Sequence, residues 1–455
     1  MKARLLRLWD SLRASYWFIP SLMTVGAAVA SQGALVLDRF LLARGGRTVA
    51  WLHGAGQPDG ARAILSTVAG SMITVAGVTF SILLVALSLA SSQFGPRLLR
   101  GFLRDRGNQV VLGTFIATFV YCLLVLRYVP MDPGTTTVPQ ISVGLALLFG
   151  LAGVAVLIFF VHHAASSIQA SSVISTAGSE LDSAIRQTFP AQDEEDGART
   201  PALRDEALPE GFREEARIVE AKKSGYVQEI DTAGLVSLAA ERNLVIELLH
   251  DRGSFVVEGR ALARAAPPES VDEEVEEKIA GALVLASGRV STRDVERGVS
   301  QLAEVAVRAL SPGINDPFTA GEATRRLGLS LSLLAERQLP TSAYHDEEGA
   351  LRLVVPTPTI PELLHAAFDR IRHYGTGDPH LPLELLEILT EVGVKARHPG
   401  LRRALIRHAE MVKRAATEAL EEEADRERIE AAYETASAVL SGRREPESPE
   451  PGPEA

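Results

Sequence analysis

The chain has 455 residues, 46% hydrophobic and 23% charged, and at ~150 residues per domain that length suggests about three units. Its net charge of −11 is unevenly spread: residues 1–165 hold 13 Lys/Arg against 5 Asp/Glu, so residues 166–455 carry −19. A basic, apolar first third joined to an acidic remainder excludes a single soluble domain and argues against nucleic acid as a partner.

Four stretches are long and uncharged enough to cross a bilayer as helices, which takes ~20 apolar residues each. They run over about 17–37, 63–92, 110–126 and 141–161, and none contains Asp, Glu, Lys, Arg or His. The first has basic residues before it and an Ala28-Val29-Ala30 string like a signal-peptidase site. It is longer than a typical signal-peptide apolar region and carries Pro20 in its first turn, so the anchor reading is preferred. Basic residues crowd the N-terminal flank and the loop 93–109, whereas the loop 127–140 has only Arg127. That bias places both termini in the cytoplasm, although Arg39, Arg44, Arg47 and Arg62 on the opposite side run against it. The single cysteine, Cys122, lies inside the third stretch, which excludes an intramolecular disulfide and a cysteine metal cluster.

The second stretch carries a pattern. Thr67, Ser71, Thr74, Val78, Ser81, Val85, Ser88 and Ser92 recur at alternating gaps of four and three, a 3.5-residue repeat along one helix face. Small hydroxyl residues at that spacing suit a helix–helix seam, because they let backbones approach and bond across the contact. The sharper reading, beside this preferred one, is the water-exposed wall of a pore built by a homo-oligomer. At ~1.5 Å per residue the stretch exceeds a ~30 Å hydrocarbon core, so it must tilt, bend near Gly70 or Gly77, or project beyond the membrane. The absence of intramembrane charge disfavours a proton-coupled carrier.

Beyond the fourth stretch the helical pattern continues to about Ile185, with His162 and His163 at the membrane exit. Residues 166–210 therefore read as a helical extension followed by an Asp/Glu/Pro/Ala-rich linker. Residues 211–268 change to short β-type runs, Ala216–Glu220, Gly225–Ile230, Leu244–Leu249 and Ser254–Glu258, with a helix at Leu235–Glu241. A small β-barrel or sandwich is expected; its layout is loosely like a biotinyl or lipoyl barrel but has no lysine at the hairpin tip. Residues 269–440 read as mostly helical, with Ser291/Thr292 capping a run to Leu310 and one long helix from Pro399 toward Leu440. The tail 441–455 is Pro/Glu-rich and is expected to be disordered. The fold class is thus four transmembrane helices plus a cytoplasmic α+β region.

Two groups could carry chemistry. In Ser311-Pro312-Gly313-Ile314-Asn315-Asp316-Pro317, Asp316 reads as a helix N-cap before an N1 proline. A ligand loop using Asn315 and Asp316 is the sharper alternative. His365, Asp369 and His373 follow at four-residue steps on one helix, a spacing that could offer metal ligands, although a solvated helix face explains it as well. The sequence holds no phosphate loop, nucleophile elbow, dinucleotide fingerprint or kinase set, and no cofactor is expected.

Several strings together resemble a known family. Tyr16 to Pro20, Thr79 to Leu99, Ser224-Gly225-Tyr226-Val227 and Ala309 to Ala320 are similar to the bacterial family described only as a predicted membrane protein of unknown function (domain of unknown function 2254). The likeness covers about residues 8–400, with Gly95 standing where a serine is expected. It implies a prokaryotic inner-membrane protein with a cytoplasmic domain, and it brings no established activity or catalytic residues. Three readings stay open. The first is a homo-oligomeric channel, with lipid and a small ion as partners; the second is a membrane-anchored sensor or scaffold whose cytoplasmic domain binds a ligand or protein. The third is an enzyme using Asn315/Asp316 or His365/His373.

Overall fold

The computed structural model describes residues 17–43, 57–95, 105–130, 138–167, 169–191, 208–288, 294–340, 342–397 and 399–443. The N-terminal flank, most of the linker, the Ser291/Thr292 cap and the tail from 444 lie outside these residues. The chain divides into two compact units, residues 1–173 and 174–455, against an expected membrane boundary at 165.

Among its described residues, the first unit contains four helices long and apolar enough to cross a membrane. They are α1 (Phe18–Ala43), α2 (Pro58–Phe94), α3 (Arg106–Leu126) and α4 (Gln140–Ser167). Apolar runs of this length fold as helices in lipid because only a helix satisfies its own backbone there. Each matches an expected span, but the helices overrun the apolar cores: α1 continues past Leu37 through Asp38 and Arg39, and α2 starts five residues early at Pro58. Proline in the first turn suits an N-terminus, and Gly95 at φ +100° ends α2, its N–H donating to the Ser91 carbonyl at 3.2 Å. At ~1.5 Å per residue the 37 residues of α2 span about 55 Å, and the helix is continuous through Gly70 and Gly77.

Helix α3 is the centre of the unit and the most buried of the four. Phe115, Tyr121, Cys122 and Val125 are fully enclosed. Gly113 lets α1 and α3 touch, since a Cβ there would lie 3.2 Å from the Pro20 Cα. One carboxylate fastens each end of the bundle. Buried Asp38 accepts from the backbone N–H of Ile141 (2.9 Å) and Ser142 (3.0 Å) and from the Ser142 hydroxyl (2.7 Å), capping the start of α4 from the end of α1. Asp105 caps α3 through Gly107 N–H and also bonds His163 near the end of α4. Two arginines that oppose the orientation bias are built into the fold. Arg39 lies over the Tyr128 ring, and Arg62 donates to the Val129 carbonyl at 3.2 Å.

The second unit opens with α5 (Ala170–Thr188), separate from α4 where one continuous helix was expected. Its apolar face buries Leu181 and Ile185, while Asp182 binds Arg326 (2.6 Å) and the Ser330 hydroxyl (2.7 Å) on a later helix. A single helical turn, Phe212–Glu215, then leads into the β region. There, β1 (Arg217–Glu220), β3 (Val245–Leu248), β5 (Ala261–Ala266), β7 (Ala343–His345) and β8 (Leu351–Val354) form a sheet ordered β1-β5-β3-β8-β7. A second sheet is ordered β4-β2-β6, from β2 (Gly225–Ile230), β4 (Phe255–Val256) and β6 (Leu283–Ala286). All neighbours are antiparallel except β3 and β8, where Ile246 faces Leu353.

Of the expected small barrel or sandwich, no closed barrel forms among the described residues. Closure needs continuous strand pairing around a ring. Here β4 has two residues, and the larger sheet completes itself with β7 and β8 from the stretch read as helical. Two helices, α6 (Thr232–Glu241, capped by Asp231) and α7 (Glu273–Ala282, capped by Asp272), share one apolar core with both sheets, centred on Leu235, Ile246, Leu262, Ile279 and Leu353. Glu247 is fully buried on β3 between Arg264 (2.9 Å) and Arg213 (3.2 Å).

The remainder is helical: α8 (Val295–Ala309), α9 (Pro317–Ala335), α10 (Ile360–Gly375), α11 (Leu381–Lys395), α12 (Pro399–Ala419) and α13 (Glu423–Leu440). The cap of α8 is Asp294, which accepts from Arg297 N–H at 2.9 Å. Thr359 and Glu362 form a reciprocal capping box at the start of α10. The long helix expected from Pro399 is two helices packed on each other, tied across by Lys413, which pairs with Glu430 and lies 5.0 Å over the Tyr433 ring.

Candidate functional site

The hydroxyl stripe of α2 faces away from its own bundle. Ala61, Leu65, Ala69, Met72, Ala76, Thr79, Leu83, Ala86 and Ala90 are buried and form the inward face. Most stripe residues lie two positions beyond one of these, about 200° round the helix at ~100° per residue. Thr67, Ser71, Thr74, Val78, Ser81, Val85, Ser88 and Ser92 are all exposed. Among the described residues the stripe is on the face opposite the one that packs on the other helices of the bundle; a contact with another chain, lipid or water stays open. Three hydroxyls donate back along the helix: Thr74 to the Gly70 carbonyl (2.8 Å), Ser81 to that of Gly77 (2.9 Å) and Ser92 to that of Leu89 (2.8 Å). Their donors satisfied, they turn only acceptor lone pairs outward. The eight positions split into two sets seven apart. Thr67, Thr74, Ser81 and Ser88 form one and Ser71, Val78, Val85 and Ser92 the other, the a and d pattern of a left-handed supercoil.

In the second unit, Asp316 is a cap. Its carboxylate accepts from Thr319 N–H at 3.1 Å at the start of α9, and bonding to the Thr319 hydroxyl and amide holds its pKa below the ordinary aspartate value. Asn315 is exposed, with a left-handed backbone at φ +49° that asparagine tolerates better than most residues. These two residues close a helix–loop–helix joint, and the exposed Ile314 and Phe318 flank them.

The histidine series is divided. On α10, His365 Nδ1 and Asp369 Oδ2 are 2.9 Å apart, as expected for residues one turn apart. His373 is exposed and packs its ring edge-on against Tyr374 instead of joining them. The third group comes from the neighbouring helix. His408 on α12 has a side chain only 2% exposed, its Nδ1 lies 3.9 Å from Asp369 Oδ1, and its ring centroid is 5.0 Å from that of His365. Among the described residues, neither His408 Nδ1 nor Asp369 Oδ1 has a hydrogen-bond partner. Burial pushes the His408 pKa down to about 4, outweighing the attraction of Asp369, so the ring is neutral at pH 7. Sequence spacing finds the pair on α10 but not His408, because only the packing of α12 on α10 brings it near. Asp38, read from sequence as part of a loop, signals its role only as a lone acid beside an apolar run.

Three apolar helices around a fourth, buried one, followed by a mixed α/β unit with two open sheets, define a multi-pass membrane protein with a folded C-terminal unit. The chain belongs to the family described as a predicted membrane protein (DUF2254), whose model matches residues 13–391. It is 31% identical over 436 residues to an uncharacterised protein of Mycobacterium bovis and to one of Mycobacterium tuberculosis H37Rv. Each match covers 95% of this chain and 82% of the relative. No solved structure matches the chain.

Proposed function

We propose that the chain is one subunit of a homo-oligomeric, cation-conducting channel of the bacterial inner membrane, with both termini cytoplasmic. The observation that carries this reading is the outward stripe of α2. A heptad of mostly small hydroxyl residues is exposed on the face opposite the one that packs into the bundle, with no packing role among the described residues. Copies of α2 meeting along that stripe close a ring about a symmetry axis, with the hydroxyls of Thr67, Ser71, Thr74, Ser81, Ser88 and Ser92 on its inner side and the lone pairs of the back-bonded Thr74, Ser81 and Ser92 turned inward. Acceptor oxygens without donors favour cations over anions. The −19 carried by residues 166–455 is a charge that draws cations rather than anions. The runner-up is a membrane-anchored sensor or scaffold, and the unpartnered nitrogen of His408 in the C-terminal unit is what favours it.

Two experiments separate the parts. Ser81→Cys in native membranes should cross-link into covalent dimers under mild oxidation, whereas Ala76→Cys on the inward face should not; the only native thiol, Cys122, is buried. Ser81→Leu should lower single-channel conductance in planar bilayers. Unchanged currents through Ser81→Leu would remove α2 from the pore wall, and an absence of cross-links would leave the stripe to lipid.

A further inference from the structure

We propose that His365, Asp369 and His408 form a binding site for a late first-row divalent cation, zinc by chemistry, held between α10 and α12. His365 and Asp369 present ligand atoms from one turn of α10, and α12 adds the third from the side. The candidate ligand atoms of the three residues all lie within 4.8 Å of one another. A tetrahedral ion with bonds of ~2.0 Å needs ligand atoms about 3.3 Å apart. His365 Nδ1 lies 2.9 Å from Asp369 Oδ2 and His408 Nδ1 lies 3.9 Å from Asp369 Oδ1, on either side of that spacing but through different carboxylate oxygens, so a rotation of the Asp369 carboxylate completes the set.

The ordinary account of such a group is a helix-surface ion pair, and it explains only part of what is present. A His365–Asp369 pair leaves His408 Nδ1 and Asp369 Oδ1 both enclosed and unpartnered, at a distance too long for a hydrogen bond. An ion bridging the three groups satisfies both atoms. Two imidazoles and one carboxylate suit a borderline cation such as zinc and are a poor set for magnesium or calcium, which take oxygen ligands. Arg372 lies 3.7 Å from Asp369 Oδ1. Its guanidinium is placed to orient the Asp369 carboxylate from outside the ligand set, as outer-shell partners of metal-binding carboxylates do. His365 and Asp369 are 45% and 38% exposed, which leaves an entry path and a fourth coordination position open to water or a ligand anion. His373, although in step with the other two in sequence, has no part in the site.

The test uses the full-length chain, purified in detergent without a polyhistidine tag and stripped with chelator. Titration with zinc chloride, followed by calorimetry and by metal content after dialysis, should show one ion per chain. His365→Gln and Asp369→Asn should each weaken binding at least tenfold, His408→Gln likewise, and His373→Gln should leave it unchanged. Cobalt(II) in place of zinc should give the intense visible bands of a tetrahedral site, lost in the same three variants. Should His408→Gln fail to fold, His365→Gln on the exposed side decides the matter. The proposal is overturned if wild-type protein binds no stoichiometric zinc, or if His365→Gln and Asp369→Asn bind it as tightly as wild type.

Discussion

Asp38 and His408 are both ionisable, both almost wholly enclosed, and both sit where two helices meet, yet their surroundings differ. Asp38 accepts three hydrogen bonds and closes the N-terminus of α4, where the helix dipole also favours a carboxylate. His408 has an unpartnered Nδ1, and burial keeps the ring neutral. A buried polar group with every partner in place is part of the fold's framework; one with an empty position is free for something else.

The comparison breaks most readily at Asp38. Asp38→Ala should lower the stability of the membrane unit by about 3 kcal/mol, because it strands two amides and a hydroxyl beside apolar helices. His408→Phe in metal-free protein should cost less than about 1 kcal/mol, since it removes a nitrogen that bonds nothing. Thermal or denaturant unfolding in detergent ranks the two, and equal losses would erase the distinction. Glu247→Gln should fall between them, at about 1–2 kcal/mol, because Arg213 and Arg264 are partly exposed and can rehydrate once the charge is gone.

Asp316→Ala should cost about 1 kcal/mol, the usual value of an N-cap, with no specific change in ion binding. Its pKa is held down in the folded chain, so its contribution is present above the unfolded value of about 3.9 and is lost as pH falls through the lower folded value. Asp316→Asn should keep the cap and flatten that acid limb of the stability curve. The smallest effect belongs to His373→Gln, within about 0.5 kcal/mol by the same unfolding measurement, as expected of an exposed side chain.

How much of this was legible in the sequence follows from the range over which each feature acts. The four spans depend on composition alone, so uncharged runs located them, and strand β2 matched at both ends because its alternation is local. Strand β5, Ala261–Ala266, is mostly alanine, a weak strand former that pairing on both sides overrides. Strand β8 joins β3 from about a hundred residues away, which no local pattern announces. The stripe on α2 was visible, but which way it faced depended on Ala61, Leu65 and Ala69 packing inward, and that is a tertiary fact. Among the histidines, four-residue spacing put His373 on a par with His365; the position of α12 replaced it with His408.

The central claim is that the face of α2 turned away from its own bundle meets water at the axis of an assembly. Its most direct test records single-channel current from full-length Ser81→Cys protein in a planar bilayer while a small cationic thiol reagent is added, with Ile82→Cys as the off-stripe comparison. Rapid block of Ser81→Cys and none of Ile82→Cys is the predicted result. Equal sensitivity, insensitivity of both, or a silent bilayer from folded and oligomeric protein contradicts it.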